Sequence, residues 1–101
     1  RPDLVAEVRD KMARFDAACI GPWVDCLIAR PDLTPRLAEL RVPTLVLSGT
    51  FDASFAPRKS DLLHQHISGS QIERYARGGH LVCIEEPEAV ASAIRRFAAA
   101  S

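Results

Sequence analysis

Two side chains in the second half of the sequence have the types that proton-transfer chemistry needs. Asp52 ends the segment SGTFD (48–52), and His80 follows two glycines in the segment ARGGH (76–80). A carboxylate beside an imidazole fixes the tautomer of the ring and stabilises its charged form. A histidine held in this way can act as a general base and then as a general acid. The two residues are therefore candidate catalytic groups, provided that the fold brings them together.

The elements around these residues predict that both reach one edge of a parallel sheet. Residues 44–47 form an apolar run without alternation, which is typical of a strand covered on both faces. Residues 72–76 predict a second strand, and residues 57–66 predict a helix between the two. If the strands are adjacent and joined by a right-handed crossover, Asp52 and His80 both follow carboxyl ends, where sites form in open α/β sheets.

Helices are predicted on either side of this unit. Residues 2–19 have helical apolar spacing, Gly21 and Pro22 are expected to end that helix, and residues 23–29 predict a second short one. Pro87 suits the first position of a final helix. The alternation of strands and helices predicts an α/β fold. Because a two-stranded sheet is marginal alone, the pattern indicates the end of a larger sheet.

Composition and charge exclude several classes of partner. The 101 residues carry 13 basic and 13 acidic side chains, and 48% are hydrophobic. We expect neither nucleic acid nor membrane as a partner, because nucleic acid and anionic membranes attract a basic surface and no apolar run is long enough to span a bilayer. The cysteines Cys19, Cys26 and Cys83 have neither disulfide nor zinc spacing, which favours reduced thiols in a cytoplasmic protein.

The order of motifs between residues 42 and 97 resembles the C-terminal part of the α/β-hydrolase family. The matching segments are VPTLVLSGTFDASFAP (42–57), GGH (78–80) and EEPEAV (85–90). The resemblance implies the last two parallel strands of the hydrolase core with flanking helices, Asp52 as the triad acid and His80 as the triad base. It also implies a small-molecule carboxylic ester or lactone as substrate, as for enol-lactone hydrolases and the cofactor-free haloperoxidase-like esterases, with neither a metal nor an organic cofactor.

The nucleophile of the family pattern is missing from these 101 residues. It lies in Gly-x-Ser-x-Gly, ahead of the acid and the histidine, and no serine here is flanked in that way: Ser48, Ser54, Ser60, Ser68, Ser70, Ser92 and Ser101. We therefore interpret residues 1–41 as a helical remnant of the cap region with its connector, and residues 42–101 as the C-terminal part of the core. The missing N-terminal part of the same enzyme, or another chain, would supply the serine, and we expect no turnover by this chain alone.

Several other residues have weaker claims to chemistry. Cys83 could pair with His80 as a nucleophile, but HLVCI (80–84) predicts a buried apolar run in which cysteine packs as a small hydrophobe. His64 and His66 lie two apart on a predicted helix and do not face each other, which argues against a metal site. The remaining expectations are an exposed helix face for Asp61 and helix-start charges for Glu85, Glu86 and Glu88. Phe15 and Trp23 are expected either to line a substrate pocket or to pack in the core, and Phe51 and Phe55 either to close over the site or to pack.

Two functions are compatible with this sequence. The first is a part of a serine-type hydrolase, although the same fold also hosts dehalogenases, peroxidase-like enzymes and carbon–carbon hydrolases. The alternative is a non-catalytic, truncated module that associates through an open sheet edge, because an exposed apolar strand favours association.

Overall fold

The computed structural model describes residues 1–54 and 56–101, and the chain divides into two compact units, Arg1–Asp32 and Leu33–Ser101. The elements of the first unit are α1 (Pro2–Ala13), a 3₁₀ turn (Ala17–Cys19) and α2 (Ile20–Ala29). The elements of the second unit are a 3₁₀ helix (Thr34–Glu39), β1 (Leu45–Gly49), α3 (Ala56–His66), β2 (Gln71–Tyr75), α4 (Val82–Glu85) and α5 (Pro87–Ala100).

The break between the two N-terminal helices lies earlier than the sequence predicts. Helix α1 ends at Ala13, and the carboxylate of Asp16 accepts a hydrogen bond of 2.9 Å from the Ala18 N–H, which starts the next turn. Gly21 and Pro22 do not end a helix but lie in the first turn of α2. A proline is tolerated there because the first backbone N–H groups of a helix have no intrahelical acceptor.

The two strands form the parallel pair that the sequence predicts. Strand β1 pairs with β2 in the register that runs from Leu45–Gln71 to Gly49–Tyr75. Helices α3 and α5 both contact β1. Strand β1 continues two residues beyond the predicted run, because Ser48 is buried and remains in the ladder. The carboxyl ends of β1 and β2 consequently lie side by side, and the second unit has the strand–helix–strand arrangement of an α/β fold.

The core of the second unit lies beneath the end of β2. Tyr75, Val82 and Val90 form a buried cluster, and Leu47 packs against it. The prediction of a continuous buried run at HLVCI is wrong, since Leu81 and Ile84 are 40% and 43% exposed and Cys83 is also exposed. The reason is that Val82, Cys83 and Ile84 lie in the single turn α4, and one turn of helix directs only part of its circumference towards a core.

The buried hydroxyl of Tyr75 allows the packing of this core to be tested by mutation. Its hydroxyl is buried, and the described residues offer it no hydrogen-bond partner. Burial raises the pKa of the Tyr75 phenol above its ordinary value, because the charged phenolate is poorly solvated in the fold. The free energy of unfolding therefore falls as the pH rises from about 10, where tyrosine in the unfolded chain begins to ionise. We expect Tyr75→Phe to leave the free energy of unfolding at pH 7 unchanged or to raise it by up to ~1 kcal/mol. Urea titrations at pH 7 and pH 10.5 measure both effects, and a large loss of stability in the phenylalanine variant at pH 7 would contradict the orphaned hydroxyl.

None of the helices in the described part of the chain combines the length and the apolar character that crossing a bilayer requires.

Candidate active site

Asp52 and His80 lie together at the carboxyl ends of the two strands. Asp52 follows the end of β1 by three residues, and His80 follows the end of β2 by five. The Nδ1 atom of His80 is 3.2 Å from Oδ2 of Asp52. The aspartate side chain is 16% exposed and the histidine side chain 48% exposed, so the carboxylate lies inside and the imidazole faces out. The catalytic roles of the two residues stay a prediction at this point.

The contacts of Asp52 determine how the imidazole is oriented. An ionised carboxylate can only accept hydrogen bonds, so the proton of this contact belongs to Nδ1 of His80. Oδ1 of Asp52 accepts a second hydrogen bond of 2.8 Å from the backbone N–H of Ser54. With Nδ1 protonated, Nε2 of His80 carries the lone pair that can take a proton from another group.

The two loops that carry these side chains are hydrogen-bonded through their backbones. The Thr50 N–H donates to the Tyr75 carbonyl at 3.0 Å, and the Phe51 N–H donates to the Gly78 carbonyl at 2.9 Å. Both bonds connect the loop after β1 to the end of β2 or to the loop that follows it. The separation of Asp52 from His80 is therefore constrained by main-chain contacts as well as by the contact between the side chains.

Glycines are needed here for space. A Cβ atom at Gly49 would lie 2.2 Å from the Gly79 oxygen and 2.6 Å from the Gly78 oxygen, closer than real Cβ atoms approach. A Cβ atom at Gly78 would lie 2.7 Å from Cγ2 of Val82. The glycine with a left-handed backbone is Gly69, at φ 73°. Gly49 thus permits the close approach of two backbones at the site, and Gly78 leaves room for the side chain of Val82.

Glu85 is a residue of the site that the sequence argument missed. The Gly79 N–H donates to both carboxylate oxygens of Glu85, at 3.1 Å to Oε1 and 3.2 Å to Oε2. Its prediction as a helix-start charge is wrong, because Glu85 is the last residue of α4 and turns back towards the loop before His80. The sequence places Glu85 only five residues after His80, but a four-residue helix has no periodic pattern from which the direction of the Glu85 side chain could be predicted.

Most of the other sequence candidates in the second unit lie in structural contacts. Asp61 forms an ion pair with Arg74, and Nδ1 of His64 is 2.9 Å from the Ser70 hydroxyl. Nδ1 of His66 is 2.9 Å from the Leu62 carbonyl. Glu88 lies in the first turn of α5, where an acidic residue was expected, and Glu86 precedes that helix. None of these contacts involves Asp52 or His80.

The aromatic candidates have different environments. Phe51 is 72% exposed, and Phe55 lies outside the described residues. In the N-terminal unit Trp23 is 66% exposed. A surface cavity of about 550 Å³ in that unit is lined by Lys11, Met12, Phe15, Ala17 and Ile20. Phe15 therefore lines a surface cavity, and its role in a substrate pocket stays a prediction.

No family model matches the chain, but curated proteins with several different activities are similar to it in sequence. Polyketide synthase ThaQ of Burkholderia thailandensis is 37% identical over 92 residues, which are 91% of this chain and 4% of that protein. 3-Oxoadipate enol-lactonase 1 of Acinetobacter baylyi is 33% identical over 60% of this chain and 23% of the lactonase. A pimeloyl-[acyl-carrier protein] methyl ester esterase of Neisseria meningitidis is 32% identical over 67% of this chain and 27% of the esterase.

Solved structures of an esterase and an enol-lactonase are also similar to this chain. A thermophilic esterase from Thermogutta terrifontis matches 68% of this chain with a TM-score of 0.65 and 42% identity. The enol-lactonase from Burkholderia xenovorans LB400 matches 67% with a TM-score of 0.63 and 31% identity. The chain spans about a quarter of the length of this esterase and this lactonase. With the strand–helix–strand order and the motifs between residues 42 and 97, these matches show that the chain belongs to the α/β-hydrolase family and corresponds to the C-terminal portion of its fold.

Proposed function

We propose that the chain supplies the catalytic acid and base of a serine-dependent hydrolase that acts on a carboxylic ester or lactone. The observation that carries this proposal is the 3.2 Å contact between Nδ1 of His80 and Oδ2 of Asp52 beyond the carboxyl ends of two parallel strands. The names of the relatives support the substrate class, since they include an esterase and enol-lactonases.

The proposed roles of Asp52 and His80 give one full catalytic cycle. Nε2 of His80 takes the proton of a serine hydroxyl as that oxygen bonds to the ester carbonyl, and Asp52 stabilises the imidazolium that forms. The imidazolium then gives its proton to the leaving alkoxide, the carbon–oxygen bond breaks, and an acyl-serine remains. Water attacks the acyl-serine with the same proton transfers, which releases the acid and restores the serine. This route uses neither a metal nor an organic cofactor.

The serine has to come from outside residues 1–101, because no serine here has the glycine flanks of a nucleophile elbow. Strand β1 has one partner strand among the described residues, β2, so its other edge is available for further strands. We propose that the polypeptide carrying the nucleophile pairs there. The alternative, a non-catalytic module, would use the same edge for association without turnover.

The polyketide synthase similarity suggests a second group of substrates. It covers 91% of the chain and so extends into the helical N-terminal unit, whereas the similarity to the enol-lactonase covers 60%. We propose that acyl groups of polyketide type belong among the substrates to be tested. A panel for this protein therefore contains a simple aryl ester, a lactone and a long-chain acyl thioester.

We propose that residues 1–101 belong to a longer polypeptide that carries the serine, and the experiment that tests the proposal compares the 101-residue chain with that polypeptide. We expect hydrolysis of at least one member of the panel by the longer polypeptide and none by the chain alone. A fluorophosphonate should label one serine outside residues 1–101 and abolish turnover, and peptide mass spectrometry identifies the site. Absence of both turnover and labelling, with a stable complex in size-exclusion chromatography, would favour the non-catalytic module, and turnover by the chain alone would show that the nucleophile lies within it.

A further inference from the structure

The peptide group between Gly78 and Gly79 is held at both of its ends. Its carbonyl, which belongs to Gly78, accepts the hydrogen bond of 2.9 Å from the Phe51 N–H. Its N–H, which belongs to Gly79, donates to the two carboxylate oxygens of Glu85 at 3.1 and 3.2 Å. Because a peptide group is planar and rigid, fixing both its oxygen and its hydrogen fixes the orientation of the whole plane.

This plane ends at the Cα of Gly79, the residue before His80. Rotation of the plane would change the direction in which the chain leaves Gly79, and with it the direction of the imidazole. Glycine offers little resistance to such a rotation, since it lacks the Cβ that restricts φ and ψ in other residues. Two consecutive glycines therefore need an external contact if His80 is to keep its Nδ1 atom on Asp52.

We propose that Glu85 is a positioning residue for His80, an inference that rests on the proposed function. Its carboxylate fixes the Gly78–Gly79 peptide from the side of α4, while the Phe51 N–H fixes it from the loop that carries Asp52. Glu85 is partly buried and its hydrogen bond is charge-assisted, so the contact is stronger than a neutral one at the surface. Both oxygens of Glu85 bind the Gly79 N–H, so the residue acts on the imidazole through the backbone.

The test uses three variants of the proposed longer polypeptide, which rests on the proposed function. Glu85→Ala removes both acceptor oxygens, Glu85→Gln keeps one of them, and Glu88→Ala removes an exposed carboxylate three residues away as the matched control. We expect Glu85→Ala to lower kcat at least tenfold with KM changed less than twofold, because substrate contacts remain while the base is misplaced. Glu85→Gln should recover a large part of that loss, and Glu88→Ala should behave as the wild type.

A second measurement follows the loop itself. Hydrogen–deuterium exchange of a peptide covering residues 76–81, read by mass spectrometry, should accelerate at least tenfold in Glu85→Ala and less in Glu85→Gln. Wild-type kcat and wild-type exchange in Glu85→Ala would overturn the inference, as would equal losses in the alanine and glutamine variants. If His80→Ala keeps full turnover, the proposed function fails instead, and the exchange result still decides whether Glu85 orders the loop.

Discussion

Replacing His80 with alanine is expected to lower kcat for ester hydrolysis by a factor of about a hundred to ten thousand, the usual contribution of a general acid–base group. In the proposed mechanism, Nε2 of this imidazole takes the serine proton and returns it to the leaving group. KM should change far less, because the imidazole contributes little to the binding of the uncharged ester. Steady-state kinetics of the proposed longer polypeptide measure both constants, and circular dichroism checks that the variant is folded.

A matched control for this variant is His66→Ala. His66 is exposed, and its Nδ1 contacts the Leu62 carbonyl on its own helix, so its loss should leave kcat unchanged. Combining His80→Ala with Asp52→Asn should lower kcat no further than His80→Ala alone, because residues that act as a unit are not additive. Turnover of His80→Ala within twofold of the wild type would exclude His80 as the base.

Gly49→Ala is expected to damage both stability and turnover. The added Cβ would lie 2.2 Å from the Gly79 oxygen and 2.6 Å from the Gly78 oxygen, and no side-chain rotation relieves a clash between two backbones. Overpacking of this kind costs about 1–3 kcal/mol in the free energy of unfolding. Because the displaced atoms belong to the two residues before His80, kcat should fall as well. Urea unfolding and ester kinetics on the same preparation measure the two effects.

Gly21→Ala is the control for this substitution. Gly21 lies in the first turn of α2, and an added Cβ would meet no heavy atom within 4 Å. Its free energy of unfolding should be unchanged or higher by up to ~1 kcal/mol, since alanine is the better helix former. A Gly49→Ala protein as stable and as active as Gly21→Ala would show that the close approach of the two loops is not required.

The parts of the fold that were predictable depend on long or strongly apolar segments. The run at residues 44–47 and the helix predicted at 57–66 were recognisable from their composition and spacing, and they fix the parallel pairing of β1 with β2. Once two parallel strands are adjacent, the residues after them share one edge of the sheet. The proximity of Asp52 and His80 was predictable for that reason.

The features of the structure that the sequence did not predict depend on single contacts. The turn that follows α1 starts with one hydrogen bond, which the Asp16 carboxylate accepts from the Ala18 N–H, whereas the more obvious break signal in the sequence was at Gly21 and Pro22. The direction of Glu85 depends on α4, which is too short for a periodic pattern. The need for glycine at position 49 comes from atoms almost thirty residues further along the chain. A contact between residues so far apart in the chain produces no pattern in the sequence around Gly49.

The backbone bonds from Thr50 to Tyr75 and from Phe51 to Gly78 have a consequence for how the molecule fluctuates. Opening either loop breaks hydrogen bonds of the other, so both should open in one cooperative event with one shared free energy. A substitution that promotes this opening would then reduce the fraction of molecules with an assembled Asp52–His80 pair without touching either residue. The amide protons of Thr50 and Phe51 would report that population directly through their exchange with solvent.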